Sequence, residues 1–262
     1  MNTKLLNLTL AAVLAASVTG CGGKKDESTS QPAAPAPTAG KTVDQSTAGS
    51  VSGTVTLAGT APAAKPINMS AEPYCQKSHT SPVIPPEVVT GDKGALADVV
   101  IYVKDGLPAD YTFTPPSTAI PLDQKGCMYD PHVIGVMTNQ DIEIINDDPT
   151  NHNIHPLPKI NQEWNESQAP GSEPKMRTFA REEMDPPIAV KCNVHPWMRS
   201  YIAVSNTPYI AVTGDDGSFT IKGLPPGSYT VTAWHEKYGK KEMPVTVAAK
   251  DSKTVDFSYD GK

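Results

Sequence analysis

Ile188-Ala189-Val190-Lys191-Cys192-Asn193-Val194-His195-Pro196-Trp197-Met198-Arg199-Ser200-Tyr201-Ile202-Ala203-Val204 reads as two short β-strands joined by a tight loop. IAVK and YIAV are the apolar, β-branched runs of strands buried in a sheet. Outward from them the same signal recurs in Ser52–Ala58, Asp98–Lys104, Ile142–Asn146, Ser218–Ile221, Ser228–Ala233 and Pro244–Val247. Between these lie turn formers: Gly91-Asp92, Asp147-Asp148-Pro149, Gly214-Asp215-Asp216-Gly217 and Pro225-Pro226-Gly227. The 26 Pro and 19 Gly leave little room for long helices, and there is no tandem repeat. Many short strands with Pro/Gly turns predict an all-β chain built of β-sandwiches. A formal net charge of −6 argues against a nucleic-acid partner, which needs a basic face.

The loop between IAVK and YIAV carries a thiol, an imidazole and a thioether spaced Cys192-x2-His195-x2-Met198. A tight loop between strands can turn all three toward one point. Upstream, Asn151-His152-Asn153-Ile154-His155 offers a further imidazole. Residues i and i+3 on an extended strand face opposite ways, so one of His152 and His155 is expected to reach the same point. Two imidazoles, a thiolate and a weak thioether suit one copper ion in both oxidation states. Zinc would gain little from Met198. A binuclear centre would need a second Cys in the loop, and a multicopper oxidase more than the remaining His79, His132 and His235.

These two segments together resemble the cupredoxins, the amicyanin- and plastocyanin-like type 1 copper proteins, over roughly residues 117–205. The approach through Ile145-Asn146-Asp147-Asp148 to the histidine resembles that family too. The resemblance implies a Greek-key sandwich and one type 1 copper held by His152, Cys192, His195 and axial Met198. It implies that the Asn153 side chain ties the two ligand loops together, with His155 close by in a supporting role. It also implies that His195 is the exit for the electron, with Pro196 and Trp197 on the surface where partners dock. Trp197 would either extend that contact or pack under the loop. The segment between His155 and Arg181 is longer than a small member of the family needs, and is expected to cover the metal or shape a docking surface.

Asp216-Gly217 followed by Leu224-Pro225-Pro226-Gly227-Ser228-Tyr229 resembles the carboxypeptidase regulatory-like, transthyretin-like β-sandwich. The C-terminal residues are too few for seven strands. The missing ones are expected from Ser52–Ala58 and Asp98–Lys104, giving a discontinuous sandwich of residues 51–115 and 206–262 with the cupredoxin domain, 116–205, inserted; two independent sandwiches in series are the alternative. Trp234-His235-Glu236 looks site-like by composition, but ends a strand of this sandwich and is read as structural. No nucleophile–base pair and no cofactor fingerprint is visible, so no enzymatic activity is expected.

Lys4 followed by the apolar stretch Leu5–Val18 reads as a secretory signal, residues 1–20. Val18-Thr19-Gly20-Cys21 resembles the lipobox of bacterial lipoproteins, which implies lipidation of Cys21 and attachment to a membrane. Gly22 in place of Asp favours the outer membrane, facing the periplasm. Residues 21–50 are small, polar and Pro-rich and are read as a disordered tether. With Cys21 lipidated, three cysteines remain in an oxidising compartment. Cys192 sits among metal-capable residues and Cys75 and Cys127 do not, so Cys75 is paired with Cys127, a bridge that would staple the two sandwiches together. The expected function is a membrane-anchored carrier of single electrons between a redox donor and acceptor. Copper handling as a chaperone or buffer, and a metal-free structural lipoprotein, are the competing readings.

Overall fold

The computed structural model describes residues 40–261. The signal segment and Cys21 lie outside the described residues. No helix among those described is long and apolar enough to cross a membrane. In chain order the strands are β1 (Gly49–Leu57), β2 (Val100–Asp105), β3 (Ile120–Lys125), β4 (Met128–Asp130), β5 (Val133–Met137), β6 (Ile142–Asn146), β7 (His152–Leu157), β8 (Glu166–Gln168) and β9 (Lys175–Arg177). Then follow β10 (Glu183–Lys191), β11 (Arg199–Ser205), β12 (Ile210–Val212), β13 (Ser218–Leu224), β14 (Gly227–His235), β15 (Gly239–Val247), β16 (Ser252–Thr254) and β17 (Phe257–Tyr259). One short helix, α1, covers Pro73–Lys77.

Four sheets form two sandwiches. In the first, β13-β1-β16 with β17 beside β1 faces β12-β2-β14-β15. Val51, Val55, Ile101, Val103, Phe219, Ile221, Val231 and Phe257 fill the core between them. In the second, β5-β11-β10-β7-β8 faces β4-β3-β6-β9 around Leu122, Ile134, Ile144, Ile154, Ile188, Val190 and Ile202. The chain is thus all-β, and the first sandwich draws its strands from both ends of the described chain.

The apolar runs DVVIYVK and YIAV have a common cause. On β2, Ile101 and Val103 point into the first core, while Val100 and Tyr102 point outward into a third cluster with Val133, Met184, Ala203 and Trp234. On β11, Ile202 and Val204 enter the second core and Ala203 enters that third cluster. Side chains alternate across a strand, so a strand covered on both faces loses its polar positions. The sandwiches therefore share an apolar interface. It is crossed by a buried pair between His132, just before β5, and Glu236, just after β14. Trp234 packs in that cluster and Glu236 holds His132, so both are structural in place.

Two expectations change here. The tether does not extend to residue 50: Lys41 N donates to Asp110 O at 2.7 Å, its ammonium lies 5.0 Å from the Tyr111 ring centroid, and β1 starts at Gly49. Short polar residues are ordered there because the segment at Asp110–Thr112 supplies their backbone partners. The Cys75–Cys127 disulfide is present, but it does not staple two separate cores. Ile67, Met69, Tyr74, Cys75 and Val83 all pack into the second core, so this part of the 51–115 segment leaves the first sandwich, and the bridge lies inside the second.

The long segment after His155 is anchored by Glu183. Its carboxylate accepts from the amides of Lys159, Ile160 and Asn161 and from Asn161 Nδ2. Burial pushes its pKa up, but these donors outweigh burial and hold it below the ordinary glutamate value of 4.5. A lowered folded value means that its contribution is complete above the unfolded pKa and is lost as pH falls through the folded one. Glu183→Gln is expected to cost about 2 kcal/mol in urea unfolding at pH 7. The difference from the parent should narrow below pH ~4 and stay constant between pH 6 and 8.

Candidate metal centre

The loop from Cys192 to Met198 is closed by its own backbone. Cys192 N donates to Met198 O at 3.2 Å, and Met198 N donates to His195 O at 2.9 Å. This fold-back turns the Cys192 thiol and the His195 ring inward, between the ends of β10 and β11. His152, the first residue of β7, comes from the neighbouring strand. Ligand atoms of His152, Cys192 and His195 all lie within 4.8 Å of one another, and all three residues are buried. The Nδ1 atoms of His152 and His195 are 2.9 Å apart, and Cys192 Sγ is 3.9 Å from His195 Nδ1. Met198 is fully buried in the same apolar cluster as Cys192. His155 lies outside the convergent group. Its ring faces Glu163 Oε1 at 2.6 Å and Asn193 Oδ1 at 3.2 Å.

The orientation of His152 is set by a carboxylate. His152 Nε2 donates to Asp148 Oδ2 at 2.8 Å, which turns the Nδ1 edge of the ring toward Cys192 and His195. Asp148 also accepts from Tyr74 Oη at 2.8 Å and from the amides of Gly126 and Cys127, both at 2.7 Å. Burial raises its pKa, but these donors and His152 outweigh it, and the carboxyl sits below the ordinary aspartate value. Gly126 and Cys127 both have positive φ, 60° and 56°, in the two-residue turn joining β3 to β4. That turn aims two amides at one anion.

A buried amide network fixes the Asp148 turn in its own place. Asn146 Oδ1 accepts from Asp148 N at 3.1 Å, and Asn146 Nδ2 donates to Thr150 O and Gln168 O, both at 3.0 Å. Gln168 belongs to β8, which pairs with β7 at His152. The long segment after His155 thus walls the His152 strand. Its Asn165 Oδ1 accepts from Asn153 Nδ2 at 2.7 Å. Asn153 Oδ1 accepts from Asn193 N at 2.6 Å and lies 3.4 Å from Cys192 Sγ, so one side chain spans both ligand segments.

The donor set fits a soft cation. Burial alone would raise the Cys192 thiol, but hydrogen bonds from His152, His195 and the adjacent backbone bring its pKa down to about 5, so a thiolate stands ready at neutral pH. The His195 amide donates to that sulfur at 3.4 Å. His195 Nε2 is buried with no hydrogen-bond partner. Two Nδ1 atoms facing each other beside a thiolate are the arrangement of ligands around a cation.

His195 departs from expectation: it is 0 % exposed and does not reach the surface. The Trp197 ring packs 5.2 Å from it, and Trp197 Nε1 donates to Cys127 O at 3.0 Å. The indole is therefore half-buried against the disulfide, and only Pro196 of the pair Pro196 and Trp197 is exposed. Both disulfide sulfurs lie within 4.8 Å of a His195 nitrogen, which leaves the ring no open edge on that side. The remaining histidines are engaged elsewhere. His79 Nε2 is 2.7 Å from Gly126 O, and His235 Nδ1 accepts from Lys237 N at 3.1 Å. Asp148 was legible only as a turn former, although its position four residues before His152 is the spacing that reaches the ring.

Residues 200–259 match the carboxypeptidase regulatory-like domain family. The chain is similar to a copper-containing nitrite reductase from Thermus scotoductus SA-01, with 16% identity, 38% of this chain and 25% of that one covered, and a TM-score of 0.31. It thus spans about a quarter of the reductase. It is similar to a purple cupredoxin from Nitrosopumilus maritimus, with 18% identity, 33% and 99% covered, and a TM-score of 0.28. It is also similar to an oxidised amicyanin variant, with 16% identity, 39% and 100% covered, and a TM-score of 0.30. Comparison with curated proteins gave no match.

Proposed function

We propose that this chain is a lipid-anchored blue-copper carrier of the cell envelope. It holds one type 1 copper through His152, Cys192 and His195, with Met198 as the weak axial donor, and passes single electrons between a redox donor and an acceptor. The observation that carries the reading is the meeting of the Cys192 sulfur and the His152 and His195 rings within 4.8 Å at a closed Cys-x2-His loop, with the two imidazole Nδ1 atoms 2.9 Å apart. Bound copper supplies a one-electron couple that both soft sulfur and imidazole tolerate. The chain's own part is to hold the donors still. Asp148 fixes the orientation of the His152 ring, Asn153 locks the two ligand segments together, and the disulfide and Trp197 pack against His195. Donors that do not rearrange keep the cost of changing oxidation state small. Nothing is converted at such a centre, so the chain acts as a carrier and not as an enzyme. Lipidation of Cys21 would keep it at the outer membrane, facing the periplasm.

The test is to load purified protein with Cu(II) and record absorption and voltammetry. An intense visible thiolate-to-copper band with one equivalent of metal and reversible cycling is expected. Binding without that band would replace the carrier by a copper-handling role, and no binding would end the reading.

A further inference from the structure

A groove borders the segment that carries Cys192. A cavity of about 440 Å³ is lined by Cys192 with Asn193, Pro196, Lys191, Arg199 and Tyr201. Lys191 and Arg199 are both exposed and sit directly opposite each other on β10 and β11. Like charges at opposed positions of an antiparallel pair destabilise it. Neither forms an ion pair among the described residues. In a chain of net charge −6 this is a local reversal of sign, placed beside a groove that Cys192 lines. Pro196 and the half-buried Tyr201 add apolar contact beside the two cations.

We propose that this cationic groove is the docking surface for a redox protein presenting an acidic face. The inference rests on the carrier reading and adds where and with what the carrier exchanges. The electron crosses at the Cys192 end of the ligand loop, because Cys192 lines this groove and His195 is fully buried. One electron leaves the reduced centre and reduces the partner by one, and no atom or proton moves. An acidic partner relieves the Lys191–Arg199 repulsion as it docks, and long-range attraction raises its encounter rate at low salt.

Two measurements test this. In the first, hexacyanochromate(III) is added to the copper-free protein and amide line broadening is followed by NMR. Broadening is expected around Lys191, Asn193, Arg199 and Tyr201, and should vanish in the Lys191→Glu, Arg199→Glu double variant. Broadening elsewhere, or unchanged in the variant, would overturn the surface, and this readout needs no copper. In the second, stopped-flow exchange is compared between an acidic and a basic c-type cytochrome. The parent should favour the acidic one by about 10-fold at low ionic strength, with the preference falling as salt rises. The double variant should reverse the order, and Lys191→Gln with Arg199→Gln should erase it. Equal rates for both cytochromes, or a preference unmoved by the variants, would refute the proposal while leaving the copper centre standing.

Discussion

Replacing Cys192 by serine is expected to abolish the visible band of the copper-loaded protein and leave the fold intact. Serine matches the thiol in size, but its hydroxyl is neither soft nor ionised at neutral pH, and the pKa of about 5 that makes Cys192 a standing thiolate has no counterpart. The loop survives because the bonds that close it, Cys192 N to Met198 O and Met198 N to His195 O, are backbone bonds. Copper affinity should fall by more than the ~10–100-fold that follows loss of a supporting partner. The copper-free variant should unfold within about 1 kcal/mol of the copper-free parent. His155→Ala supplies the contrast. Its ring is held by Glu163 and Asn193 outside the convergent group, so colour should persist. A blue Cys192→Ser protein, or a colourless His155→Ala protein, would mean that the ligand set is wrong.

Removing the Cys75–Cys127 bridge should produce the largest loss of stability. It closes a separation of 52 residues, for which loop entropy alone gives about 4 kcal/mol. For a body of this size that is a fall in Tm of roughly 10 °C. The double replacement Cys75→Ala, Cys127→Ala, followed by calorimetry of the copper-free protein, measures it. Both sulfurs are buried, so the change also removes packing from the second core. The loss should reach the metal centre too. Asp148 takes two of its donors from the Gly126-Cys127 turn, and Trp197 hangs from the Cys127 carbonyl. A variant with unchanged Tm would show that the connection through α1 is held in place without the bridge.

The loop after β10 and the strands around it were readable because they combine a strong signal with local geometry. Apolar β-branched runs announce buried strands, and Cys-x2-His within one tight loop converges whatever the rest of the chain does. His152 and Asn153 were readable by likeness, since β7 is brought beside that loop only by sheet pairing. β8 was not readable. ESQ is three polar residues, and its strand character comes from its pairing with β7. β15 hides for a related reason: Gly239–Pro244 is largely exposed, so only its last residues keep the alternation of a covered face. The burial of His195 was beyond reach as well, because the groups that close its edge, the disulfide and Trp197, are gathered from residues 75, 127 and 197.

Strands β2 and β11 each lend alternate side chains to two cores. The chain is therefore not a pair of beads that scissors could part. Severing the lobe that carries the candidate metal centre would strip Val133 and Ala203 of their cover and leave a greasy scar on each half. Whatever pulls on one lobe moves the other with it, so an orientation imposed through the flanking lobe is inherited whole by the candidate metal centre.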